Sequence, residues 1–342
     1  MKIRWIAAIT VSIVVIIAVV ASFNQGFTEE EKTVRVAFFP NVGHAIPIIG
    51  LEKGFFSSNL GQTTIQTRIF DSGPQAIEAL FADSIDLAYV GPGPAINGFL
   101  QSEGKDLKIL AGAASGGASF VVHPNSKIDS VEDFAGKRIA APILGNTQDV
   151  SLRHLISEIG LKPAEKGGSV TVLNIANAEI YTLFAKGDID AAWVPEPWAT
   201  QLVMQLNGKR LFYEEDLWPQ KKFASVILIG RMEYVQKHPE VVQKWLDSHY
   251  KTVDWINKNK EESKTVFNDF LQKYLGKRLP DEIVSESLDN IEITADPIKD
   301  SILTFAERAN SLGYLGRHGY DLSGIFYKTQ VESTQEVTIT DG

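Results

Sequence analysis

The 342-residue sequence contains no cysteine. That absence excludes disulfide staples, thiolate catalysis, cysteine-held zinc or iron–sulfur groups, and a lipid-modified cysteine as membrane tether. Basic charge is in deficit: 33 Lys and Arg stand against 42 Asp and Glu, a formal net charge of −9. A broad nucleic-acid surface needs clustered Lys and Arg, so nucleic acid is not expected as a partner. Also missing are a Gly-x-Ser-x-Gly elbow, a His-Glu-x-x-His helix, a P-loop and a repeat of 20 to 50 residues. No histidine pair has metal-ligand spacing, so neither a metal nor another cofactor is expected.

Long apolar runs are absent from all but one place. Lys2 and Arg4 precede a charge-free apolar run from Trp5 to Phe23, with no polar interruption at helical period. Such a segment enters a membrane. Small Ala21 suits cleavage, yet the run approaches the ~20 residues that span a bilayer. Residues 1–27 are therefore read as a signal peptide or an N-terminal membrane anchor, both open. With positive charge ahead of the run, everything from Asn24 onward is expected outside the cytoplasm.

Beyond that segment, short β-rich runs alternate with helical periods, the grammar of βαβ units and mostly parallel sheets. Strands are expected at 34–39, 63–70, 86–90, 107–113, 138–141, 170–175 and 190–194. Helices are expected between them, at 74–81, 94–101, 149–159, 179–186 and 196–205. From about 239 the chain reads as almost wholly helical. The β-rich stretches 119–123 and 223–229 are read as two hinge crossings. They divide the chain into a discontinuous lobe 1 (33–118 and 229–327), a lobe 2 (119–228) and a flexible tail (328–342). Ligands of open α/β sheets bind where strand carboxyl ends face one another, so Phe39, Phe70 and Val194 should converge.

The loops at those ends carry the candidate site. Asn41, Val42, Gly43 and His44 follow the first strand and open a helix. His44 is read as a polar wall residue rather than a metal ligand. Ser72 and Gly73, with Pro74, form a helix start able to offer free amides to an anion. Gly91, Pro92, Gly93 and Pro94 are a poor dinucleotide loop: the prolines donate nothing and Ile96 stands where a third glycine belongs. They supply a narrow turn instead. Ser115 and Gly116 serve either the cleft or a flexible hinge. The helix start at Thr147 and Gln148, with Asn146 or Thr147 as cap, is the foremost anion-binding candidate. Arg153, further along that helix, is assigned to the surface. Glu196 either receives an ammonium or ties a helix start; Trp198 either covers the ligand or fills the core.

Taken together, Gly50 to Phe56, Gly73 to Leu80, Asp86 to Gly91, Gly145 to Asp149 and Gly187 to Trp193 with Glu196 and Trp198 complete a resemblance. The chain, from about Val34 to Gly313, resembles the periplasmic binding proteins for sulfonates, taurine and nitrate that serve ATP-driven importers, whose fold is shared by thiamine-precursor-binding proteins. The resemblance implies a two-lobe type II binding-protein fold, a site built from the loops above, and a non-catalytic role. It implies as partners a small anionic or zwitterionic solute and the importer's permease subunits with their cytoplasmic ATPase. Nitrate or a thiamine precursor is the alternative ligand. Enzymes of the thiamine-pyrimidine synthase type share the fold, but zero cysteines and an export segment oppose that role. A seven-atom solute gains at most roughly −10 kcal/mol at about −1.5 per heavy atom, so micromolar binding requires nearly every polar atom to be satisfied.

Overall fold

The computed structural model describes residues 32–315 and 320–327. The apolar run at the amino terminus and the tail from 328 lie outside the described residues. No helix among the described residues is long and apolar enough to cross a membrane.

Two sheets organise the chain. The first is built from β1 (Thr33–Phe38), β2 (Thr64–Ile69), β3 (Leu87–Val90), β4 (Leu107–Gly116), β10 (Ala224–Arg231) and β11 (Ile291–Ile293), in the order β11-β4-β10-β3-β1-β2. The second holds β5 (Ala118–Val122), β6 (Arg138–Ala141), β7 (Thr171–Asn174), β8 (Ala191–Pro195) and β9 (Lys209–Tyr213), in the order β7-β6-β8-β5-β9. Strands β1, β2 and β3 run parallel, as do β6, β7 and β8. The crossing strands run antiparallel to them, so both sheets are mixed rather than parallel throughout.

Helices cover both faces of each sheet. On the first, α1 (Ala45–Glu52) and α2 (Phe55–Leu60) pack with the long carboxyl-terminal helices on one face; α3 (Gly73–Phe81) and α4 (Pro92–Gln101) take the other. On the second, α5 (Thr147–Glu158) lies on one face, α6 (Asn177–Lys186) and α7 (Trp198–Leu206) on the opposite one. The carboxyl-terminal series comprises α8 (Met232–Lys237), α9 (Pro239–Lys258), α10 (Lys260–Leu275), α11 (Asp281–Asp289) and α12 (Lys299–Ser311). In α9, apolar side chains recur at helical spacing, and Trp245 stacks on Phe56 of α2 with ring centroids 4.1 Å apart. Doubly covered central strands are near-continuously apolar: all four residues of β3 are buried. At the head of β3 the buried Asp86 carboxylate accepts from Arg35 of β1 and Arg231 of β10, which locks three strands at one end.

The chain passes between sheets twice. Gly116 and Gly117, both at φ +74, turn β4 of the first sheet directly into β5 of the second, a left-handed pair that only glycine adopts without strain. The return runs through two 3-10 turns between β9 and β10. Because β10 pairs with β3 and β4, this return lies before Ala224, and residues 224–228 belong with the first sheet rather than with lobe 2. Two short strands, β9 and β11, are absent from the sequence-based expectation.

Candidate functional site

All six parallel strands point their carboxyl ends at one cavity. Phe39 follows β1, Asp71 lies just past β2, Gly91 follows β3, Pro142 follows β6, Asn177 lies past β7, and Pro195 closes β8; every one of them lines it. Of the strand ends expected to converge, Phe39 lines the cavity itself, while Asp71 and Pro195, next to Phe70 and Val194, line it in their place. The cavity measures about 70 Å³, room for roughly five water molecules at ~10–15 Å³ each. Such a space suits a small solute.

The wall is rich in helix beginnings. Gly73 is the first residue of α3, Gly91 caps α4, Asn146 caps α5 with Thr147 and Gln148 following, and Asn177 opens α6. None of these four helices receives a hydrogen bond from its capping side chain, so first-turn amides remain for another acceptor. Four positive dipole ends thereby face one small volume. Pro74, Pro92 and Pro94 remove donors from α3 and α4, so α5 and α6 contribute most. Close approach needs small residues: a Cβ on Gly91 would lie 2.5 Å from Thr147 Oγ1 of the opposite lobe.

Charge on the wall is negative. No lysine or arginine is among the described lining residues, whereas Asp71 and Glu196 are. Glu196 is 1% exposed. Its Oε2 accepts from Thr200 N–H (2.9 Å), which ties the start of α7, and from Ser287 (3.4 Å); its Oε1 accepts from Asn290 (2.9 Å) and Arg210 (3.1 Å). Burial raises the Glu196 carboxyl above the usual carboxylate range, against the pull of these donors and the Arg210 charge. Since Ser287 and Asn290 lie at α11, the carboxylate also joins the lobes. A second bridge, Tyr314 Oη to Asp149 Oδ2 at 3.1 Å, closes the other flank.

His44 is a neutral donor. Its Nδ1 accepts from Phe39 N–H (3.2 Å), which leaves the proton on Nε2, and burial pushes its pKa down to about 3. Asn41 spends its side-chain oxygen on Gly43 N–H (3.0 Å). Two other lining residues carry buried, unpartnered atoms: Asn177 Oδ1 and Ser225 Oγ. Phe39, Val226 and Ile291 add an apolar side.

Of the sequence-predicted residues, Asn41, Gly43, His44, Gly73, Gly91, Thr147, Gln148 and Glu196 line the cavity. The others do not. Val42 is core, because the 3-10 turn rotates it into the first lobe. Ser72 is buried behind Gly73, and Pro92 and Gly93 stand aside while Pro94 reaches the wall. Ser115 and Gly116 face a separate groove of about 290 Å³, and Gly117 takes the expected place in the cavity. Trp198 packs beside Tyr181 (centroids 6.4 Å apart) because helical rotation turns it into the core of lobe 2. Arg153 is neither exposed nor at the cavity; it is buried against Asp149, Glu165 and Asn174. Asn177 had a legible signal, a helix start after a strand like that of Thr147. Ser225 and Ile291 sit on antiparallel strands and carry no motif.

The model of the NMT1-like family matches residues 28–268. The chain belongs to this family. A Brucella abortus protein that carries only the general name of a binding protein is 31% identical over 241 residues, 70% of this chain and 72% of its own. The taurine-binding periplasmic protein of Escherichia coli K12 is 29% identical over 186 residues, covering 54% of this chain and 55% of its own. Among solved structures, the alkanesulfonate-binding protein of Xanthomonas axonopodis, bound to MOPS, superposes with TM-score 0.73 at 20% identity, over 88% of this chain and all of that one. The periplasmic nitrate-binding protein of Synechocystis gives TM-score 0.71 at 17% identity, over 91% and 90%. These likenesses establish the two-lobe periplasmic binding-protein fold, in which the NMT1-like chain presents the cavity just described.

Proposed function

We propose that the chain is the extracytoplasmic solute-binding subunit of an ATP-driven importer and captures a small amino-sulfonate of the taurine type. The observation that carries the reading is the pairing of opposite recognition chemistries in one cavity of about 70 Å³. Four uncapped helix starts offer amides and positive dipole ends to a sulfonate head. Asp71 offers a carboxylate to an ammonium in the same cavity, with Glu196, already held by Arg210, Asn290, Ser287 and Thr200, as a further acidic wall. His44 Nε2–H, Asn177 and Ser225 complete the polar contacts. The names of the taurine- and sulfonate-binding relatives support the same class. A simple monoanion such as nitrate would meet the Asp71 carboxylate with no cation of its own, and is the second reading.

Binding needs no bond-making. The lobes close on the solute about the Gly117 crossing and the return before β10, and the closed form docks on the importer's membrane subunits. The apolar segment before Asn24 acts as export signal or tether.

Isothermal titration and thermal shift against taurine, ethanesulfonate, nitrate and a thiamine precursor test the reading. Taurine should stabilise the protein by about 2.7 kcal/mol at a hundredfold excess over Kd, and ethanesulfonate, lacking the amine, should bind more weakly. Absence of stabilisation by taurine at millimolar concentration would overturn the ligand class.

A further inference from the structure

We infer that Ile291 sets the length of solute that the cavity admits; the inference rests on the sulfonate reading and names a residue that decides specificity within it. Ile291 opens β11 and pairs with Gly116 of β4 at the crossing between lobes. Its side chain lies across the Gly117 backbone, where an added Cβ would come within 2.6 Å of Ile291 Cδ1. Gly117 has no side chain, so the isoleucine settles there and forms part of the apolar side of the cavity with Val226.

Behind it the protein is not solid. Ile291 also walls a pocket of about 240 Å³ next to Ile256 and Ile293, and the groove of about 290 Å³ next to Tyr213 and Ser115. Among the described lining residues it is the one shared between the cavity and either of these spaces. Ile291 is thus the residue at which the cavity of about 70 Å³ meets two further spaces. The far side is partly apolar, so an alkyl tail that passed Ile291 would be removed from water. Shortening Ile291 should convert a site for two-carbon sulfonates into one that accepts longer chains while the polar contacts to the head stay in place.

The test measures Kd by titration calorimetry for taurine and for unbranched alkanesulfonates of two to six carbons, with wild type, Ile291→Val and Ile291→Ala. Wild type should bind the shortest members best and lose affinity with length. In I291A affinity should rise about fourfold for each added methylene that enters the opened space. I291V, which removes one methylene and leaves β11 paired, should move the preferred length by about one carbon. A loss of closure or stability would weaken every member alike and leave the long-to-short Kd ratio unmoved. An unchanged ratio in both variants overturns the inference alone. A folded wild type that binds none of the series overturns the sulfonate reading, and the inference with it.

Discussion

Replacing Gly91 by alanine should separate binding from folding. Gly91 caps α4 at φ −72 and ψ 160, a conformation alanine adopts freely, so the backbone imposes no penalty. The obstacle lies across the cleft. The new Cβ would stand 2.5 Å from Thr147 Oγ1, about 1 Å short of ordinary contact, while the next neighbours, Ser225 O and Thr147 Cβ, would be at an acceptable 3.6 Å. Rotating the buried, β-branched Thr147 exchanges its hydroxyl for a methyl and gains no room. Closure must therefore stop early or absorb overpacking of about 1–3 kcal/mol, which weakens solute binding by roughly 5- to 150-fold. Unfolding stability should stay near that of wild type. The entropy gain of Gly→Ala, about 0.4–1 kcal/mol, is offset by alanine's poorer capping. Titration calorimetry gives the first quantity and urea unfolding the second. In a double-mutant cycle, Thr147→Ala removes the clashing oxygen and should restore to G91A most of the lost affinity, measured against T147A alone. Wild-type affinity in G91A, or additive losses in the pair, would refute the steric argument.

Other consequences are as direct. Asn177→Ala and Ser225→Ala remove polar atoms that have no protein partner, so each should weaken solute binding by about 1 kcal/mol, close to fivefold, while leaving the melting temperature within a degree or two; a drop in stability without a change in Kd would contradict their assignment. Glu214, fully buried in the return between lobes and held by Ser151 and Trp193, has its pKa pushed up to about 7 by burial. The folded state thus keeps this proton where the unfolded chain releases it. The stability it contributes is present below about pH 4.5 and lost as pH rises through 7, at a slope approaching about 1.4 kcal/mol per pH unit. Glu214→Gln should remove that slope. Buried His44 and His249, lowered to about 3 and about 4, act in the opposite sense below pH 6.5 in both proteins, so the wild-type minus variant difference isolates Glu214. Parallel stability–pH curves would refute the assignment.

Much of the architecture was legible because local chemistry and long-range packing agree over most of the chain. The strand at 138–141 and the alternation through 194 follow from apolar β-rich runs bounded by helix starts, and doubly covered strands must read that way. The helix starts at Gly73 and Thr147 were recognisable because the residues that free an amide for a ligand also begin a helix. Legibility failed where a residue's face depends on rotation or on a distant strand. Trp198 and Val42 stand within two residues of true lining positions, yet helical rotation turns both into core. Arg153 looked like a surface charge; the buried Asp149 carboxylate, whose Oδ1 accepts from both Arg153 and Asn174, draws it inward.

The sequence by itself determined the alternation of strands and helices and the placing of a site at strand carboxyl ends, since periodicity and caps act over a few residues. Tertiary structure decided what meets there. It set Gly91 against Thr147 across two lobes, backed Glu196 with Arg210 from another strand, and laid Ile291 over Gly117 from a position 174 residues further on. Those juxtapositions arise from sheet order and lobe closure, which no local pattern encodes, and they fix the size and charge of the cavity.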